Sequence, residues 1–290
     1  MFRVFVFAGI ALAGTAAAAD LAAPLTDTYQ AWRQAIIAKD VRQWQRLTAP
    51  HRQAQVRNRI VSEKRSFPAA LFDLPAPPPS LEKLECLHVS QKGSTAKAAF
   101  FGPVDFGVGG SPTDNLLVLS FVGSQGRWLY DKAEFVNLAA LPEVRKELAA
   151  GKLDYLRQNP ECQASGVVPP TPPLVPPAKY IAKVYVFCPG REVQVQVNRV
   201  SRHQFSNAKE AEIVVGGARD GRNEVTFTAK PVKGGTGKEA FAVRIYLMSE
   251  IPGTKPIIAY EFEAKEGEPV KGFDSGHFVL DEATARKLIP

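Results

Sequence analysis

The sequence is short of the residues that build metal centres and disulfide frameworks. Its 290 residues include only three cysteines and four histidines, which are scattered without the spacing of metal ligands. This scarcity excludes a disulfide-rich scaffold, and we predict no metal site and no cofactor. Cys86, Cys162 and Cys188 leave three possible pairings for a single disulfide in an oxidising compartment. We expect any disulfide to use Cys162, which follows the last predicted helix of the first half in a mobile, polar stretch, whereas the other two lie in strand patterns.

Long apolar runs are also lacking, and the run at the start of the chain is short. Val4 to Leu12 is apolar apart from Gly9, follows Arg3 and precedes Ala17-Ala18-Ala19. This run is about half of the ~20 residues that a membrane span needs. The order instead matches a secretory signal peptide over residues 1–19, cleaved before Asp20. We therefore expect a periplasmic or secreted protein with no transmembrane segment.

Acidic residues are scarce in one part of a chain whose net charge is +7. Between Arg33 and Arg65 there are nine basic residues and only two acidic ones. Such a run is either a solvated helix face or a docking surface for an anionic partner. That partner would be an envelope surface, an acidic polysaccharide or an acidic protein, and nucleic acid is disfavoured in this compartment. The candidate binding residues are Arg42, Arg46, Arg52, Arg59 and Lys64.

Proline is abundant in one place, where VVPPTPPLVPP (167–177) has six prolines in nine positions. Such a segment favours an extended, semi-rigid polyproline helix, so we interpret residues 161–178 as a linker. A proline-rich recognition ligand is the rival interpretation. The linker would join two domains, over 20–160 and 179–290, that fold independently.

The first half begins with a helical pattern. Leu25, Tyr29, Trp32 and Ile36 form one apolar stripe. Asp27 and Asp40 are predicted to cap two helices, and Pro50 is predicted to begin a third. After PAPPP (75–79) the period changes to two, which predicts strands at 81–90, 95–108, 115–122 and 127–138, with a closing helix at 142–156. This order predicts an α+β domain.

The helix order, the AKDVRQWQRL corner and a closing hairpin with Trp128 just after its turn resemble the nuclear-transport-factor-two-like superfamily. The resemblance implies helices packed on a strongly curved antiparallel sheet that forms a cone. It also implies an alternative function, because the superfamily includes isomerases and dehydratases as well as members without chemistry. No catalytic motif of the superfamily can be matched residue by residue to this sequence. Asp105 and His88 are the candidate catalytic residues, and we interpret them instead as a bend residue and a hydrogen-bonded strand residue.

The second half is patterned as strands, at 180–188, 192–200, 212–215, 223–230, 241–248, 257–264 and 277–280. Asp220-Gly221 and GGTG (234–237) are interpreted as hairpin turns. Seven strands without a helix predict a β-sandwich. The run VQVNRV…VVGGARDGRNEVTF resembles galactose-binding-like or immunoglobulin-like modules in a generic way.

The motifs that suggest chemistry do not meet its requirements. GGTGK ends at Lys238 and lacks the Ser or Thr of a phosphate loop. Asp274, Ser275 and His277 are too close in sequence to form a triad. We therefore predict an exported, non-catalytic binding or interaction protein. One alternative is an isomerase or dehydratase that acts on a small molecule in the cone of the first domain. The other is a polysaccharide-binding accessory protein, which would use outward residues of the second half: Gln194, Gln196, Asn198, Arg244 and Tyr246.

Overall fold

The structure is a computed structural model that describes residues 13–104 and 113–289. Residues 1–12 of the predicted signal peptide and Asp105 lie outside this part of the chain. The chain divides into two compact units, the first comprising the chain up to Ala54 with Phe72–Pro172, and the second Gln55–Leu71 with the chain from Pro173 onward. Gln55–Leu71 thus belongs to the second unit, although the predicted ranges place it in the first domain.

Three helices begin the described chain: α1 (Ala13–Ile37), α2 (Val41–Leu47) and α3 (Pro50–Ser62). Asp40 caps α2, since its carboxylate accepts a hydrogen bond from the Gln43 N–H at 3.0 Å, and Pro50 is the first residue of α3. Both predictions are confirmed. The cap predicted at Asp27 is wrong, because the alanine-rich residues before it are strong helix formers and continue α1 through that position.

The first unit contains an antiparallel sheet in the order β1-β2-β3-β4. Its strands are β1 (Glu85–Lys92), β2 (Thr95–Val104), β3 (Thr113–Ser124) and β4 (Arg127–Val136). Because side chains alternate along a strand, β3 contributes buried side chains to both faces of the sheet. Leu117 and Leu119 pack with Leu25 and Tyr29 of α1. Leu116 and Val118 pack with two later helices.

These later helices replace the single helix predicted over 142–156. They are α4 (Pro142–Ala149) and α5 (Asp154–Gln158), separated by Gly151, whose φ of 75° lies in the left-handed region. Leu148 of α4 and Leu156 of α5 are buried against the sheet. Helices therefore cover parts of both faces of this sheet.

The second unit contains two four-stranded antiparallel sheets. The second sheet has the order β11-β10-β5-β8 and the third sheet the order β12-β9-β6-β7. Their strands are β5 (Ala182–Phe187), β6 (Arg191–Val197), β7 (Ser201–Ser206), β8 (Lys209–Ile213), β9 (Gly221–Pro231), β10 (Phe241–Leu247), β11 (Ile257–Ala264) and β12 (Phe273–Leu280). Side chains from both sheets, such as Val184, Val195, Phe227 and Ile245, form one hydrophobic cluster.

Three predictions for this half are wrong in detail. The described part of this half has eight strands rather than seven, because β7 lies where no strand was predicted. A short helix, α6 (Glu282–Ala285), follows the last strand, where none was predicted. The turns at Asp220-Gly221 and 234–237 are not hairpins, because each joins strands of different sheets. Gly221 and Gly234 do have positive φ, but a local turn conformation does not decide which sheet the next strand joins.

The end of the proline-rich segment is bound to α3 within the second unit. The Asn58 side chain donates to the Pro173 carbonyl at 2.8 Å and accepts from the Val175 N–H at 3.1 Å. Arg57 donates to the Val175 carbonyl at 2.9 Å. This part of the expected linker is therefore packed structure rather than a free rod.

Candidate functional site

The outward side chains of the third sheet form the main candidate site. Along β6, buried valines alternate with Gln194 and Gln196, so both glutamines point away from the core. Arg202 and Gln204 on β7 alternate in the same way with buried Ser201, His203 and Phe205. The register places Gln194 opposite Gln204 and Gln196 opposite Arg202, which brings the four outward side chains to one face.

A depression of about 510 Å³ lies over this face. We call its outward lining the glutamine face, which consists of Gln194, Gln196, Arg202, Gln204, Thr226, Thr228 and Phe273. Six of these side chains carry amide, hydroxyl or guanidinium groups, and Phe273 carries an aromatic ring that is 58% exposed. A concave surface with a few polar groups and an apolar contact is typical of a ligand site.

Much of the hydrogen-bonding capacity of the glutamine face is unused. Within the described part of the chain, the side chains of Gln194, Arg202, Thr226 and Thr228 have no hydrogen-bond partner. Gln204 donates to Glu192 at 2.9 Å, so it is already oriented. The face can therefore donate to and accept from a polar ligand without first breaking internal bonds.

The outer face of the second sheet shows the opposite arrangement. Arg244 of β10 pairs with Glu261 and Glu263 of the neighbouring strand, and the Glu263 contact measures 2.8 Å. The ring of Tyr246 packs edge-on against Tyr185, with centroids 6.2 Å apart. These groups stabilise one another across the strands, as cross-strand pairs do.

The five residues expected to bind a polysaccharide are thus separated by the structure. Gln194 and Gln196 lie on the glutamine face, while Arg244 and Tyr246 lie on the other sheet. Asn198 lies in a turn, where its amide donates to Asn223 at 2.9 Å and accepts from the Glu224 N–H at 3.0 Å. Its role there is structural.

The candidate basic residues are divided between the units. Arg42 and Arg46 are exposed on α2 in the first unit, and among the described residues neither has an acidic partner. Arg52 donates to the carbonyl of Asp131 at 2.8 Å and to its carboxylate at 3.3 Å, and buried His51 contacts the same carboxylate at 2.8 Å.

Arg59 and Lys64 lie in the second unit. Arg59 pairs with Glu63 at 3.4 Å, and Lys64 pairs with Glu250 at 2.5 Å. Acidic residues distant in sequence therefore offset part of the basic run, which the local charge count could not reveal. Arg42 and Arg46 are the two candidates whose charge is left without a partner in the described chain.

A hydrogen-bonded series with the order of a catalytic triad lies at the edge of the second unit. The Ser201 hydroxyl is 2.6 Å from Nε2 of His203, and Nδ1 of His203 is 2.6 Å from the Glu212 carboxylate. Ser201 is completely buried, however, and its hydroxyl also accepts from the Val215 N–H at 2.7 Å. A nucleophile must reach its substrate, so this series instead joins the edge strands β7 and β8.

The residues considered for catalysis do not form a reactive site. On β12, Ser275 and His277 point outward, and Asp274 accepts from the Ser275 N–H at 2.8 Å. Nε2 of His88 is 3.0 Å from the Gln163 amide nitrogen, and burial lowers the pKa of His88. Among the described residues, no three acidic, histidine or cysteine side chains are grouped to hold a metal ion.

Aromatic packing occupies the face of the first sheet beneath α1. The Trp32 and Tyr130 ring centroids are 4.0 Å apart, and those of Tyr29 and Trp32 are 5.7 Å apart. Tyr29 donates to the Pro79 carbonyl at 2.8 Å, and burial raises the pKa of both tyrosines. These contacts are those of a core rather than of an acid–base site.

All three cysteines are free thiols. Cys162 is buried in the core between the first sheet and α5, so its expected position in a mobile, polar stretch is wrong. Burial raises the pKa of the Cys162 thiol to about 11. Within the described residues, no helix is both long enough and apolar enough to cross a membrane.

Comparisons of the chain with protein-family models, curated proteins and solved structures gave no match. The two sequence resemblances therefore stay predictions, and the functional argument depends on the geometry of the chain's own residues.

Proposed function

We propose that this is an exported, non-catalytic binding protein whose ligand lies on the glutamine face of a β-sandwich module. The proposal depends mainly on one observation, the depression of about 510 Å³ in which four of the six polar side chains of the glutamine face have no hydrogen-bond partner in the described chain, beside the exposed ring of Phe273. Export is supported by the signal-like first 19 residues. The core packing of Tyr29, Trp32 and Tyr130 argues for binding over the alternative isomerase or dehydratase function.

The test is a ligand screen that does not assume a chemical class. Neutral saccharides, short peptides and nucleotides are mixed with the protein and followed by saturation-transfer NMR. Gln194→Ala combined with Thr228→Ala should abolish binding of the true ligand, because both substitutions remove polar groups from the depression. Val279→Ala is the matched control, since Val279 is exposed on β12 but does not line the depression. If no compound depends on the double substitution, the glutamine face is not the binding site.

A second proposal concerns the partner of α2. Arg42 and Arg46 are one helical turn apart, exposed and unpaired in the described chain, and such a pair can attract an anionic surface. We propose that they contact anionic lipid head groups, an acidic polysaccharide or an acidic protein of the envelope.

Retention on anionic liposomes and on an acidic polysaccharide should fall with added salt, because exposed charges are screened over about 8 Å at physiological ionic strength. Arg42→Glu with Arg46→Glu should abolish retention. Arg127→Glu with Lys152→Glu changes the net charge equally at two other exposed positions of the first unit and should have less effect. Equal losses in both variants would mean that net charge, not α2, determines retention.

A further inference from the structure

We propose that the ligand of the glutamine face is a neutral, linear oligosaccharide that lies across the strands of the third sheet. This inference rests on the binding function proposed above and specifies its ligand class. It follows from the register of the strands, the chemistry of the outward side chains and the position of Phe273.

The outward side chains form two rows that run across the four strands. Residues paired in register lie side by side on the same face, because side chains of directly opposed residues point the same way. The first row is Gln204, Gln194, Thr228 and Phe273. The second row is Arg202, Gln196, Thr226 and Ser275.

The rows have the dimensions of a short sugar chain. Neighbouring strands are about 4.8 Å apart, so a row that crosses three gaps is about 14 Å long. Each sugar of an extended pyranose chain advances by about one strand spacing, which gives room for about three sugars. The two rows are about 7 Å apart along the strands, so both edges of one chain can be contacted.

The groups in the rows match the two surfaces of a sugar ring. A glutamine amide both donates and accepts, as do the threonine hydroxyls, and each sugar hydroxyl requires one or both roles. The C–H face of a pyranose is apolar and stacks on an aromatic ring. Phe273 ends the first row and is 58% exposed, so it is placed to cover the sugar at that end.

Other polymers fit this face less well. Arg202 is the one charged side chain in the lining, whereas a polyanion or nucleic acid needs several cations along its path. A peptide that adds to a sheet pairs with the free backbone of an edge strand. In the third sheet the edge strands are β7 and β12, so such a peptide would lie beside the glutamine face rather than across its rows.

The test is calorimetric titration of the full chain with β-1,4-linked glucose, β-1,4-linked mannose and α-1,4-linked glucose, each as a series from monosaccharide to hexasaccharide. Affinity for at least one series should rise with each added sugar up to about three and then level off. Phe273→Ala should weaken binding about tenfold, since it removes one aromatic contact. Val279→Ala on the same strand should leave binding unchanged.

The outcomes separate this inference from the broader proposal. If the glutamine-face double substitution abolishes binding of a peptide or nucleotide and none of the three saccharide series binds, the face is a binding site for another class and the inference is wrong. A monosaccharide that binds as tightly as its hexasaccharide would also overturn it. Saccharide binding that survives Phe273→Ala and the Gln194→Ala, Thr228→Ala double substitution would overturn both proposals.

Discussion

The glutamine face shows which single residues a sequence can place and which it cannot. Gln194 and Gln196 are predicted outward because each alternates with a buried valine. Arg202 and Gln204 are missed because their strand has polar residues on its inward side as well. Ser201 and His203 tolerate burial by hydrogen bonding to each other, so the hydrophobic period that marks a strand is absent.

The cysteines provide a prediction at the same scale. Alkylation requires the thiolate, and raising the pKa of Cys162 from 9.0 to about 11 lowers its thiolate fraction at pH 8 about 100-fold. We expect iodoacetamide to label Cys162 far more slowly in the native protein than in urea, and more slowly than half-buried Cys86. Mass spectrometry of timed samples measures this order. Equal native rates for the two cysteines would contradict the buried position of Cys162.

At the scale of elements, strand and helix types are predicted better than their connections. All four strands of the first sheet are found close to their predicted ranges, because alternation is a local property of each strand. The docking of the proline-rich segment on α3 is missed because it depends on side chains distant in sequence. Asn58, a polar residue among the arginines of the basic run, gives no local sign that Pro173 and Val175 are its partners.

Asn58 therefore gives a prediction for α3. Asn58→Ala leaves the buried Val175 N–H and the Pro173 carbonyl without this partner, which should lower the free energy of unfolding by about 1–3 kcal/mol. Arg59→Ala, at the next and exposed position, should change it by less than about 0.5 kcal/mol. Urea unfolding followed by circular dichroism measures both values. Hydrogen exchange should show the added loss of protection at Val175, and unchanged exchange there would contradict the assigned bonds.

At the scale of the whole molecule, the mixed α+β character with antiparallel sheets is predicted from the order of the patterns. The division of the chain into its two compact units is not predicted from the sequence. A proline-rich segment indicates a boundary at its own position, but it carries no sign that Gln55–Leu71 belongs with the later strands. The independence of residues 20–160 and 179–290 stays a prediction.

Peptide complementation tests that division. A fragment over residues 173–290 lacks Gln55–Leu71, so we expect a lower Tm than for the same strands in the full chain. A synthetic peptide of residues 55–71 should raise the fragment's Tm, and the rise should grow with the logarithm of the peptide concentration, as for a ligand of the native state. The same peptide with Asn58→Ala should raise it less. A Tm that neither peptide changes would show that the fragment does not need this segment.

The boundary between the two units falls inside α3, and this determines the order in which the contacts of that helix can form during translation. Asn58 leaves the ribosome 115 residues before its partner Pro173. At typical translation speeds of about 5–20 residues per second this interval lasts roughly 6–23 s. By then the ribosome has synthesised the segments that form the first unit. The second half of α3 has also been synthesised, but the strands of the second unit, with which it packs, have not. Each newly made chain therefore passes through a period in which a chaperone, or another nascent chain, can bind this helix before its own strands do.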